Sequence, residues 1–155
     1  MKMRIVMAVL MALSLLALYV APTEARGRPL RVEIVAATYI PEDPNEPILG
    51  TFIANGPAVD AGVLCPTGTT VDLSALGSGG QSNRRLNLLV HKEFTCDDGS
   101  GTFQVKLEVK LDERGFANWN VLRGTGDYVH LAGTGKLVGI PFEGGITDYY
   151  TGKMH

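Results

Sequence analysis

Two Gly-Thr-Gly triplets, Gly124–Gly126 and Gly133–Gly135, stand nine residues apart, and Lys136 follows the second at once. A glycine-rich loop ahead of a lysine can cradle phosphate, so nucleotide chemistry is the first question. A Walker-type loop needs glycine, four residues, then Gly-Lys-Ser/Thr, with the hydroxyl holding magnesium. Here His130 fills the place of the leading glycine and Leu137 that of the hydroxyl. A dinucleotide fingerprint needs a third glycine, and that position is Val129 after the first triplet and Val138 after the second. Neither triplet opens a helical pattern, so the dipole and free N–H groups that would hold a pyrophosphate are missing.

Other reactive residues are sparse. The histidines are His91, His130 and His155, with no H-x-H or H-E-x-x-H spacing, so no metal site is expected. No G-x-S-x-G nucleophile elbow is present; Gly77-Ser78-Gly79 falls short of it in a loop-like stretch. Asp60, Asp72, Asp127, Glu143 and Asp148 are the carboxylates from which an acid–base pair could be drawn. Their linear spacing does not say which of them meet, and surface turns account for most. The sequence therefore assigns no catalytic residue, no cofactor and no metal ligand.

The elements that would position any site lie in one stretch of chain. Lys2 and Arg4 precede an uncharged apolar run that ends in Pro22 and Ala25. A basic start, an apolar middle and a small-residue exit read as a secretory signal peptide over 1–25. The other reading is a retained membrane segment, the one route to a membrane that the chain offers. Residues 26–155 then form a single domain. Losing Lys2, Arg4 and Glu24 moves the formal charge from −2 to −3. A mildly acidic chain lacks the basic footprint of a nucleic-acid binder, and Arg84-Arg85 reads as a solvated loop. Cys65 and Cys96 both lie in the exported part, where an even count favours a disulfide. The alternatives are two buried thiols or a metal pair, for which no nearby histidine offers support.

Period-two alternation recurs along the mature chain, and no segment shows a helical stripe. In TFQVKLEVKLD, Thr102–Asp112, Phe103, Val105, Leu107, Val109 and Leu111 share one face, and Gln104, Lys106, Glu108, Lys110 and Asp112 the other. That is a strand with one dry side. In LNLLVHKEFTC, Leu86, Leu88, Val90 and Phe94 share a face with Cys96. Asp97–Gly101 between them is a hairpin turn. Further strands are expected at Arg31–Tyr39, Gly50–Asn55, Ala58–Leu64, Thr69–Leu73, Gly115–Leu122, Ala132–Ile140 and Ile146–His155. Gly56-Pro57 marks a break, and Leu76–Asn83 reads as a surface loop. Many short strands with glycine-rich turns predict an all-β fold, a small closed antiparallel barrel of about eight strands or else a sandwich. Both triplets then read as bends in the sheet, with the Tyr128 ring laid over glycine-lined wall.

Trp119–Gly139, WNVLRGTGDYVHLAGTGKLVG, resembles the G-G-T-G-x-[FY]-x-x-[AL]-x-G signature of the allene oxide cyclase-like and dirigent-like barrels. Gly124, Thr125, Gly126, Tyr128, Leu131 and Gly133 match, and Arg123 departs from the usual first glycine. Cys96–Phe103, CDDGSGTF, with Cys65 upstream, is similar to the secreted bacterial branch of that superfamily. The resemblance covers about a third of the chain. It implies an eight-stranded antiparallel barrel, often a homo-oligomer, whose interior can hold a small apolar molecule. It transfers no catalytic residue. Lipocalins lack support, since the lone Trp119 lies late in the chain.

Tyr149 and Tyr150 must face opposite sides of their strand. Phe103, Trp119, Tyr128 and Tyr149 are the candidate lining of the barrel; the competing reading is that such side chains simply fill it. The expected function is a secreted, non-catalytic barrel that binds a small apolar ligand or a protein partner. The alternative is a cyclase- or isomerase-type enzyme acting inside the barrel, which requires polar side chains converging on an interior cavity. A third reading is a structural role in assembly.

Overall fold

The computed structural model describes residues 27–78, 86–111 and 116–155. The signal-peptide reading of 1–25, most of the Leu76–Asn83 loop and the Arg84-Arg85 pair lie outside them. Eight strands follow in order: β1 (Leu30–Tyr39), β2 (Leu49–Asn55), β3 (Thr67–Ser78), β4 (Leu86–Cys96), β5 (Thr102–Leu111), β6 (Phe116–Gly124), β7 (Gly133–Phe142) and β8 (Gly145–Met154). Each pairs antiparallel with the next, and β1 also pairs with β8, so the sheet closes into a barrel. A closed sheet leaves no unpaired edge.

Alternation sends one side chain of every pair into the barrel. At one end the interior is filled by aromatic rings. Phe94 and Phe103 are cross-strand partners and stack with centroids 4.8 Å apart. Phe52 and Tyr150 meet Phe94 edge-on, Trp119 meets Tyr150 and Tyr128 meets Phe103. All six rings are buried. Offset and edge-on ring pairs each add roughly 0.5–1.5 kcal/mol beyond the area they bury.

This end is also capped. The chain between β2 and β3, expected to be a strand over Ala58–Leu64, instead makes one helical turn, α1 (Pro57–Asp60). Gly56 at φ +102° breaks the strand direction and Pro57 supplies a φ already suited to a first helical residue. Ala58 and Leu64 are thereby buried under the cap. The disulfide Cys65–Cys96, Cα atoms 6.0 Å apart, ties the segment after α1 to the end of β4.

The triplets play different parts. Gly124–Gly126 is a corner: Gly126 has φ +58° and opens a single 3-10 turn, Gly126–Tyr128. This corner packs on the β4–β5 hairpin, with the Asp127 amide donating to Ser100 O at 2.9 Å and the Tyr128 and Ser100 hydroxyls 2.7 Å apart. Gly133–Gly135 is no bend; it lies inside β7. Its glycines make room for Trp119 rather than Tyr128, because Gly135 pairs with both Trp119 and Gly152. A Cβ on Gly135 would sit 2.7 Å from the indole nitrogen, and one on Gly152 would strike the same ring.

Candidate functional site

The other half of the barrel is hollow. A cavity of about 600 Å³ opens at the end where β1, β3, β5 and β7 finish. Its walls are apolar, among them Ile40, Ile48, Leu88, Val109, Leu137 and Ile146. Its floor is charged.

Lys92 makes that floor. It stands in the inward series of β4 between Val90 and Phe94, and it is 2% exposed. Three acceptors surround its ammonium. Nζ donates to Thr38 Oγ1 of β1 at 2.8 Å and to Asp148 Oδ2 of β8 at 3.1 Å, and lies 3.3 Å from Asp72 Oδ1 of β3. Asp72 faces Lys92 directly across the β3–β4 ladder. Asp148 reaches it from the opposite wall, between Ala36 on β1 and Gly139 on β7, whose small size leaves the carboxylate room. One lysine therefore crosses the lumen and joins four strands.

A β-bulge sets the position of Asp72. The register between β3 and β4 slips between Asp72 and Ser74, so Leu73 is the extra residue and turns outward, 47% exposed. Asp72 and Ala75 both line the cavity although three positions separate them. The bulge also explains why only Thr69–Leu73 reads as a strand in the sequence, while β3 runs on to Ser78: one inserted residue breaks the alternation.

Burial raises the pKa of both carboxyls above the ordinary aspartate value, and the Lys92 charge offsets this only in part. Desolvation, with the nearby Asp148 and Asp72 charges, holds the Tyr150 hydroxyl well above its usual range. Three buried polar atoms, Thr70 Oγ1, Asp72 Oδ1 and Tyr150 Oη, have no hydrogen-bond partner among the described residues. Asp72 Oδ1 is held by charge alone. Buried groups of this kind are costly to leave unpaired. The arrangement can hold or pass a proton at an apolar cavity.

The aromatic lining expected from the sequence divides. Phe103, Trp119 and Tyr128 face inward and are buried, but in the capped half, where they fill the barrel instead of bounding the cavity. Tyr149 faces outward, 42% exposed, in a row with its cross-strand partners Val35 and Val138; Tyr150 is the inner tyrosine. Of the five candidate carboxylates, Asp72 and Asp148 converge, while Asp60, Asp127 and Glu143 are exposed. None of the three histidines lines the cavity. Lys92 escapes a reading based on reactive motifs. Its signal is a lone charge at an inward position of an apolar series, Leu88, Val90, Lys92, Phe94.

No protein-family model matches the chain, and no curated protein is found as its relative. Among the described residues, no helix is long and apolar enough to cross a membrane.

Proposed function

We propose that this protein is an exported binding barrel that carries a small, largely apolar molecule in its open half. The single observation behind this is the cavity, whose volume falls within the ordinary range for small-molecule sites. Apolar walls with a few placed polar groups are the usual composition of such sites. The leader over 1–25 and the Cys65–Cys96 disulfide support export, and the resemblance of Trp119–Gly139 to ligand-holding barrels supports the binding role. Titration with the neutral dye N-phenyl-1-naphthylamine tests it. Saturable fluorescence enhancement is expected, with loss of binding in Val109→Trp and Ala75→Trp, which place an indole at the cavity wall. Undiminished binding in both variants, or none in the wild type, overturns it.

A second reading, an isomerase or cyclase, is favoured by one observation: Lys92, Asp72 and Asp148 meet at the cavity floor. A carboxyl with a raised pKa beside bound substrate is suited to proton transfer. Incubating the protein with the molecule recovered from it, in deuterated water, separates the two. Deuterium at carbon in the wild type, absent in Asp72→Asn, marks an enzyme; recovery of the molecule unchanged marks a carrier.

A further inference from the structure

A lysine at the base of an apolar pocket suggests at first an anionic guest, such as a fatty acid. The hydrogen-bond count points the other way. An ammonium has three donors and no acceptor. Thr38 takes one of them, at 2.8 Å, and Asp148 and Asp72 face the other two. Lys92 is 2% exposed and its remaining side is turned to Asp72, 3.3 Å away, so it has no open face for a carboxylate. Two carboxylates bring four acceptor oxygens, and Lys92 can serve them with two hydrogens. The cluster is therefore rich in acceptors and poor in donors. Its fixed charges, one positive and two negative, do not cancel.

Access differs between the two acids. The Asp72 side chain is 15% exposed and the Asp148 side chain 7%. Both line the cavity, as does Gly139, and a Cβ on Gly139 would stand 3.2 Å from Asp148 Oδ1. Ile146 Cδ1 would stand closer still, at 2.8 Å, so a side chain at position 139 would crowd both Ile146 and the carboxylate. A guest entering from the mouth meets apolar walls first and then Asp72.

We infer that the cavity takes an apolar molecule whose single polar group donates hydrogen bonds, an amine above all and an alcohol next, and that it turns carboxylates away. This rests on the binding-barrel reading and names the class of its ligand. An ammonium head at Asp72 would supply the missing donors and balance the excess negative charge. An alcohol would supply a donor without the charge. A carboxylate would add acceptors where acceptors already exceed donors.

Displacement of N-phenyl-1-naphthylamine by octylamine, 1-octanol and octanoate at pH 7 tests this. Octylamine is expected to displace the dye at concentrations at least tenfold below octanoate, with octanol between them. In Asp72→Asn, Lys92 keeps Asp148 as its counter-ion, and the amine-to-carboxylate ratio is expected to fall several-fold while octanol is little changed. A second measurement does not depend on any variant. The charged and titratable groups facing the floor are Asp72 from β3, Lys92 from β4, and Asp148 and Tyr150 from β8; β1 contributes Thr38, and β5 and β7 present Leu107 and Gly139. As pH is lowered and the carboxyls, raised above the ordinary aspartate value by burial, take up protons, octylamine stays charged, so its affinity drops and that of octanol holds. Octanoate equal to or tighter than octylamine overturns the inference while leaving the binding barrel standing, as does a ratio unmoved in Asp72→Asn. A wild type that binds neither dye nor amphiphile overturns both.

Discussion

Asp72 and Lys92 are cross-strand partners whose charged atoms lie 3.3 Å apart inside a β-barrel, and Asp148 closes on the same ammonium from the far wall. Removing one member of a buried ion cluster costs far more than the cluster contributes, because the remaining charges are stranded. Lys92→Met is expected to lose about 3–5 kcal/mol at pH 7 by urea denaturation. The loss is expected to shrink as pH is lowered, because protonation of the two carboxyls, both raised by burial, removes the stranded negative charge.

The same carboxyls fix the sign of a pH effect. A carboxyl whose pKa is higher folded than unfolded contributes stability that is fully present below its ordinary value near 3.8 and is lost as pH rises through its raised one. Asp72→Asn keeps the Lys92–Asp148 pair and removes one such group. The stability of the wild type relative to Asp72→Asn is therefore expected to decline as pH rises from the ordinary aspartate value near 3.8 toward neutrality. Paired denaturation curves across that range check it; a difference that grows with pH contradicts it.

Cys65–Cys96 closes a loop with a sequence separation of 31 and holds α1 against the capped end. In the chain-entropy account such a loop is worth about 3–4 kcal/mol. The Cys65→Ala/Cys96→Ala variant is expected to lose about that much in urea denaturation. Because the cavity lies at the opposite end, the affinity of the folded variant for dye is expected to change little.

Trp119 lies on a glycine floor, and its indole N–H donates to Lys136 O at 3.0 Å with Thr151 O at 3.3 Å. Gly152→Ala puts a methyl group into the ring and against Thr134 O. A loss of about 1–3 kcal/mol is expected from overpacking, together with a changed near-ultraviolet tryptophan circular dichroism band. An unchanged stability would show that the indole has another place to go.

The fold was legible where each strand has one wet face. In β5, Phe103, Val105, Leu107 and Val109 alternate with polar residues without interruption, and the hairpin before it is marked by Asp97–Gly101. Legibility failed where local chemistry changes the period. Leu73 is bulged out of β3, and Pro57 turns an apparently alternating stretch into α1. The site was half visible. Asp72 and Asp148 stood among five acids, and nothing in linear spacing shows that β3 and β8 face each other across a lumen. Lys92 could have been found by asking why a charge sits between Val90 and Phe94 on a dry face. The choice between Tyr149 and Tyr150 is a one-residue matter of register, which strand pairing decides and composition does not.

The floor of the cavity is also the roof of the aromatic half. Tyr150 follows Asp148 by two residues on the inner face of β8 and meets Trp119 edge-on at 6.2 Å. The only tryptophan in the chain is thus one ring removed from the acids that a guest would touch. If the cavity fills as proposed, the indole fluorescence of unlabelled protein is expected to change with it.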